Sequence, residues 1–229
     1  MRSWKFPCFV VALGLMLVRA GSASGERAIP IPANPPAADA IVQAVQARYD
    51  VTTDLSGDVI QETNIVRLNK TIVARGTVAF KKPGKMRWEL ANGDREVIVS
   101  DGKTLWMYRP EDQQVLRMPF DSAFRSSTPI SFLTGVGKIA ENFRVAFEGP
   151  EDGRLRLRLE PKRPEADVGV LWLLVDATSF DIVGAEVQDP LGNRSKLTFQ
   201  NVRRNQGLSD TLFEFAVPAG VDVLEAPRE

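Results

Sequence analysis

Ser100, Glu62, Glu89 and Asp101 are the side chains whose types could support covalent or acid–base chemistry in this 229-residue chain. A carboxylate pair drawn from the three acids would suit glycoside hydrolysis, which sets two carboxyl groups across the scissile bond. Ser100 would need a base to accept its proton, and the chain contains no histidine. That absence removes the Ser-His-Asp and Cys-His relays, the imidazole base and any His-ligated metal. The single cysteine, Cys8, excludes an intrachain disulfide and a thiolate zinc site. Asp101-Gly102 is a turn signal and Glu89 lies on a charged strand face, so these acids read as solvated. The expected protein is not an enzyme and needs no cofactor or metal.

The apolar residues carry more information. Met86, Trp88 and Leu90 alternate strictly with Lys85, Arg87 and Glu89, giving a strand with one apolar and one charged face. Val78 and Phe80 share a face of the preceding strand with Lys82. A lysine there either snorkels from the strand end or donates to backbone carbonyls across the mouth of a cavity. Met86, Trp88, Leu90 and the aromatics Trp106 and Tyr108 are either ordinary core or the lining of such a cavity. Periodicity alone leaves both choices open.

The elements that position them follow from the patterning. Asp39 offers an N-cap for a helix through Tyr49, with Ile41, Val45 and Tyr49 on one stripe. Beyond Asp54 the period becomes two. Strands are expected near residues 55–61, 77–82, 85–90, 96–100, 105–108 and 113–118. Others are expected near 143–147, 154–160, 170–175, 182–188, 195–201 and, last, 213–217, before a polar tail. Turn signals at Pro83-Gly84, Asn92-Gly93, Asp101-Gly102 and Pro190-Leu191-Gly192-Asn193 separate them. A short helix starting at Ser126-Ser127-Thr128-Pro129 would present Ile130, Phe132 and Leu133, and another is expected at 138–142.

This is a mainly β fold: a single curved antiparallel sheet of about ten or eleven strands, with a few helices segregated from it. The inner face of so large a sheet exceeds what its own side chains fill unless it closes tightly. Either the helices plug the concavity or they lid a space for a ligand.

The N-terminus reads as an export signal. Arg2 and Lys5 precede an apolar run over residues 9–18, followed by Ala20-Gly21-Ser22-Ala23. The run is short of the roughly 20 residues that span a bilayer. Residues 1–23 are expected to be a cleaved signal peptide, with cleavage after Ala20 or Ala23, and 24–36 a flexible Pro- and Ala-rich leader. Residues 37–229 then form one domain. Cys8 lies before the apolar run, so it cannot be an acylated residue at the cleavage point. The balance of 29 basic and 29 acidic residues excludes a strongly basic nucleic-acid protein. A cysteine-free mature chain suits the periplasm.

The stretch Gly76-Thr77-Val78-Ala79-Phe80-Lys81-Lys82-Pro83-Gly84-Lys85-Met86-Arg87-Trp88 is followed by Val99-Ser100-Asp101-Gly102-Lys103-Thr104-Leu105-Trp106-Met107-Tyr108-Arg109-Pro110. Together they resemble the outer-membrane lipoprotein carrier (LolA) family, with Val59-Ile60-Gln61 and Thr128-Pro129 also at similar places. The resemblance implies an unclosed β-barrel with a helical lid over a hydrophobic cavity for acyl chains. It implies a periplasmic monomer with three kinds of partner: acylated lipoproteins, an inner-membrane lipoprotein-releasing ABC transporter and an outer-membrane lipoprotein receptor. The implied cavity residues are Ile41, Val45, Val78, Phe80, Met86, Trp88, Leu90, Trp106, Ile130 and Leu133. The family has an arginine latching the lid before the proline, and an aromatic three residues after it; here those positions hold Lys82 and Met86. Lysine lacks the planar fork of arginine, so its lid contacts should be fewer and easier to break. The alternatives are a stress-sensing binding protein of the same fold that regulates an anti-sigma factor, or a carrier of another lipid.

Overall fold

The computed structural model describes residues 35–91, 95–123, 138–162 and 170–226. The expected signal peptide, nearly all of the leader, and the helix carrying Ile130 and Leu133 lie outside the described residues.

Helix α1, Pro35–Asp50, starts four residues before the expected cap at Asp39. Pro35 and Pro36 sit in its first turn, where their missing N–H groups would have found no intrahelical partner anyway. Then come β1 (Asp54–Ile65), β2 (Lys70–Lys81), β3 (Lys85–Leu90), β4 (Glu96–Asp101), β5 (Thr104–Arg109) and β6 (Gln114–Pro119). Among the described residues two single-turn helices follow, α2 (Phe120–Ala123) and α3 (Ile139–Asn142). The second set of strands is β7 (Phe143–Glu151), β8 (Arg154–Pro161), β9 (Val170–Asp176), β10 (Ile182–Gln188) and β11 (Arg194–Arg204). A 3-10 turn at Asp210–Phe213 and a last strand, β12 (Asp222–Glu225), complete the described chain.

All twelve strands form one sheet in the order β12-β6-β5-β4-β3-β2-β1-β11-β10-β9-β8-β7. The chain runs outward from β1 to β6, crosses to the opposite edge, and returns from β7 to β11 beside β1. Every pairing is antiparallel except β12 with β6. The sheet is unclosed, because the order ends at β12 and β7.

The expected last strand at 213–217 is not one. Phe213 ends the 3-10 turn as a buried anchor, and the twelfth strand lies in the tail that reads as polar. All four residues of β12 are exposed; its backbone bonds along β6 and the Glu225–Arg117 ion pair at 2.7 Å hold it there, and neither leaves an apolar period to read.

Curvature follows from close backbone approaches and from contacts that span the sheet. A Cβ on Gly76 would lie 1.7 Å from the Glu89 carbonyl oxygen, so β2 and β3 could not pair this closely with a larger residue. Gly84 turns β2 into β3 at φ +69°, packed against Gly102 and the Phe120 ring. Trp88 of β3 meets Phe199 of β11 at 6.3 Å between ring centroids, although β2 and β1 lie between their strands.

The outer face of β2–β5 is covered by the chain that leaves β11. Asp54, itself buried, accepts from the Gln206 and Gly207 amides at 2.8 and 3.1 Å. Lys81 donates to the Leu208 carbonyl, Lys81 and Lys85 both pair with Asp210, and Arg87 donates to the Leu212 carbonyl. Phe215 then packs on Trp106 and Tyr108 at 6.1 and 6.0 Å. This strap turns the charged face of β3 into a docking surface for the protein's own C-terminal segment.

Candidate functional site

Pairing register sorts the inner face into rows. One row reads Leu55, Phe80, Met86, Ser100, Leu105 and Met118 from β1 to β6. The next reads Gly57, Val78, Trp88, Ile98, Met107 and Leu116. A third holds Val59, Gly76, Leu90 and Glu96. The first two rows contain no charged side chain. Ser100, their one hydroxyl, donates to the Gly84 carbonyl and accepts from the Gly102 amide, so it serves the turn.

Further along the strands the face becomes polar. Glu96 and Arg109 form a buried ion pair at 3.5 Å on one side. On β1 and β11, buried Thr63 accepts from the Ser195 hydroxyl. The apolar area is thus bounded at one end by polar groups and at the other by α1.

Helix α1 contributes Ile41, Val42, Val45 and Tyr49 to the same buried cluster as Val78, Phe80, Met86, Trp88 and Leu90. The helix packs on β7 and the short helix α3, and its apolar stripe joins the strand rows through that continuous cluster. The cluster continues into Leu157, Leu159, Leu171, Leu173 and Val175 of β8 and β9, which are absent from the expected site. The signal for Leu157 and Leu159 was present, since Arg154-Leu155-Arg156-Leu157-Arg158-Leu159 alternates as strictly as β3 does, whereas Val170–Val175 is apolar throughout and marks no face.

Trp106 is a correction. It pairs with Val99 and Arg117 on the outer face, between inward Leu105 and Met107, and lies half-buried under Phe215. An aromatic among apolar neighbours looked inward by type, but the alternation of β5 turns it out.

The last turn of α1 is held by polar contacts from two directions. Lys82 Nζ donates to the Tyr49 carbonyl, a C-terminal oxygen that also accepts from the Thr52 amide just past the helix at 3.1 Å. A cation there also opposes the negative end of the helix dipole. Burial pulls the Lys82 ammonium below its ordinary range, with Asp50 opposing the shift. On the other side Arg48 Nε meets Asp181 at 2.9 Å, and Arg204 meets the same carboxylate at 2.7 Å. Burial pushes the Tyr49 phenol up to about 12, against the smaller opposing influence of Arg204.

The three acids considered for hydrolysis are not assembled. Asp101 caps the turn by accepting from the Lys103 and Thr104 amides, and Glu89 pairs with Arg87 on the outer face. Glu62 is exposed on β1, opposite Lys196.

A match to a family of known proteins joins these observations. The family model described as "Outer membrane lipoprotein carrier protein LolA" matches residues 51–216. The chain belongs to the LolA family. A LolA-family outer-membrane lipoprotein carrier protein of Chromobacterium violaceum is 30% identical over 209 residues, covering 91% of this chain and 96% of its own. One from Methylococcus capsulatus is 33% identical over 150 residues, covering 66% of this chain and 71% of its own. Among solved structures, an uncharacterized conserved protein from Thermus thermophilus superposes with a TM-score of 0.52 at 14% identity. The match covers 82% of this chain and 98% of that one, and it speaks for the fold alone. LolA relatives are carriers, not enzymes. The matched region starts just after the last turn of α1 and includes all of β1–β11, hence every row of the inner face.

Proposed function

We propose that this chain is a periplasmic carrier that accepts acylated lipoproteins from an inner-membrane ABC transporter and hands them to an outer-membrane receptor. It holds the acyl chains against the inner face beneath α1. The observation that carries this reading is the pair of strand rows without a charged side chain, covered by a helix whose last turn is tethered by polar contacts. Each methylene removed from water contributes about 0.8 kcal/mol, so one acyl chain needs an apolar refuge worth on the order of 10 kcal/mol. A soluble shuttle that releases its load without a fuel must open by breaking few contacts. Lys82 to Tyr49 and Arg48 to Asp181 are contacts of that kind, and lysine makes fewer of them than arginine would.

The test uses the purified mature chain and spheroplasts making labelled lipoproteins. Lipoproteins should leave the inner membrane in a soluble one-to-one complex with the added protein. Retention of all lipoproteins on the spheroplasts would overturn the reading.

A further inference from the structure

The Trp88 side chain is 0% exposed, and its indole N–H has no hydrogen-bond partner among the described residues. It stands in the second inner row, between Val78 and Ile98, neither of which offers a side-chain acceptor. Gly57, two strands away in the same row, supplies no side chain at all. The indole meets Phe199 at an interplanar angle of 81°, so its plane is held by an aromatic contact across the face. A buried donor left unpaired is costly, and native interiors rarely keep one without a use. Phenylalanine would fill the same row without that cost.

We propose that the Trp88 indole N–H is a hydrogen-bond site for a carbonyl oxygen of the cargo's acyl linkage. This inference rests on the acyl-carrier reading above and deepens it. An indole N–H donates and cannot accept, so it selects an acceptor. A plain hydrocarbon chain brings none and leaves the donor orphaned. An ester or amide carbonyl, carried at the head of an acyl chain, satisfies it while the chain lies along the apolar rows. The inner face would thus recognise the linkage of the lipid as well as its greasiness. A site that hydrogen-bonds its ligand discriminates against an analogue lacking that group far better than an apolar surface does.

The experiment compares a diacylated, ester-linked cysteinyl peptide with its dialkyl ether analogue of equal chain length. Both are titrated against the mature wild-type protein and Trp88→Phe. The wild type should prefer the ester about five- to tenfold, the size of one hydrogen bond to a buried donor. Trp88→Phe should lose that preference, its ester-to-ether ratio falling to about one whatever its affinity for either probe. Because the readout is a ratio, partial unfolding of the variant lowers both affinities together and leaves it unchanged. A second measurement needs no variant: the Trp88 indole proton resonance should move downfield on adding the ester and stay in place with the ether. An equal ester-to-ether ratio in both proteins, or an unmoved resonance on ester binding, would overturn the inference and leave the carrier reading intact. Failure of the wild type to bind either probe would overturn the carrier reading itself.

Discussion

Lys82 Nζ donates to the main-chain carbonyl of Tyr49, joining the turn after β2 to the last turn of α1 across 33 positions of sequence. The bond connects the helix that covers the inner face to the strands that form it, so it is the natural place to alter the hold on α1. Lys82→Ala should destabilise the protein by about 1 kcal/mol, the usual net value of one such bond. Lys82→Arg should hold α1 more tightly, because a guanidinium can donate to more than one carbonyl. The expected consequence is faster cargo release from the alanine variant and slower release from the arginine variant. Transfer kinetics from purified complexes to an acceptor check both, and identical rates for all three proteins would remove Lys82 from the mechanism.

Tyr49 gives the same helix a pH limit. Its phenol is pushed up to about 12 in the fold, from an ordinary value of 10.0. A raised folded value means the protonated form is favoured by folding, so its contribution is complete below pH 10 and fades as pH rises towards 12. The shift corresponds to roughly 2–3 kcal/mol. Thermal unfolding between about pH 9 and 12 should show wild type losing more stability than Tyr49→Phe. Ultraviolet titration in a Tyr108→Phe background would follow the phenolate directly.

The strap has the opposite dependence. Lys81 and Lys85 hold the Asp210 carboxyl at about 2 in the fold, below its ordinary 3.8. A depressed folded value adds stability above pH 3.8, and this is lost as pH falls towards 2. Asp210→Asn should remove that part of the acid dependence, and Phe215 contact with Trp106, read by indole fluorescence, reports whether the strap stays docked.

Charge placed on the two faces should act differently. Met86→Glu buries a carboxylate in the first inner row, which costs several kcal/mol in an apolar site and should block cargo loading. Trp106→Glu faces the strap and should leave loading largely intact while loosening the Phe215 contact. Loading assays at matched folded fractions separate the two.

Gly76→Ala tests the curvature of the sheet. The added Cβ would meet the Glu89 carbonyl at 1.7 Å, which the backbone can relieve only by moving β3 away. Overpacking of this kind costs about 1–3 kcal/mol or more, and calorimetry should register a drop in Tm of several degrees.

The inner rows were legible because half-buried strands alternate, and Lys85 to Leu90 does so without an exception. The same rule should have turned Trp106 outward and included Leu157 and Leu159. Residue type is a weaker guide to the face than position on the strand. The tether at Lys82 could be narrowed to two options from its apolar neighbours, and only tertiary placement of the Tyr49 carbonyl separates them. The strap was not legible. Its anchors are Lys81, Lys85 and Arg87, charged residues that read as a solvated face, and β12 is held by backbone bonds and one exposed ion pair, Glu225 with Arg117.

A photoreactive residue on the inner face reports whether acyl chains lie there. Placed at Ile98 it reports from the second inner row; placed at Trp106 it reports from beneath the strap. With a lipoprotein labelled in its fatty acids, irradiation should attach the acyl label through position 98 and not through position 106. Equal attachment at both positions, or none at 98 in a complex that still carries cargo, would mean that the chains are held elsewhere.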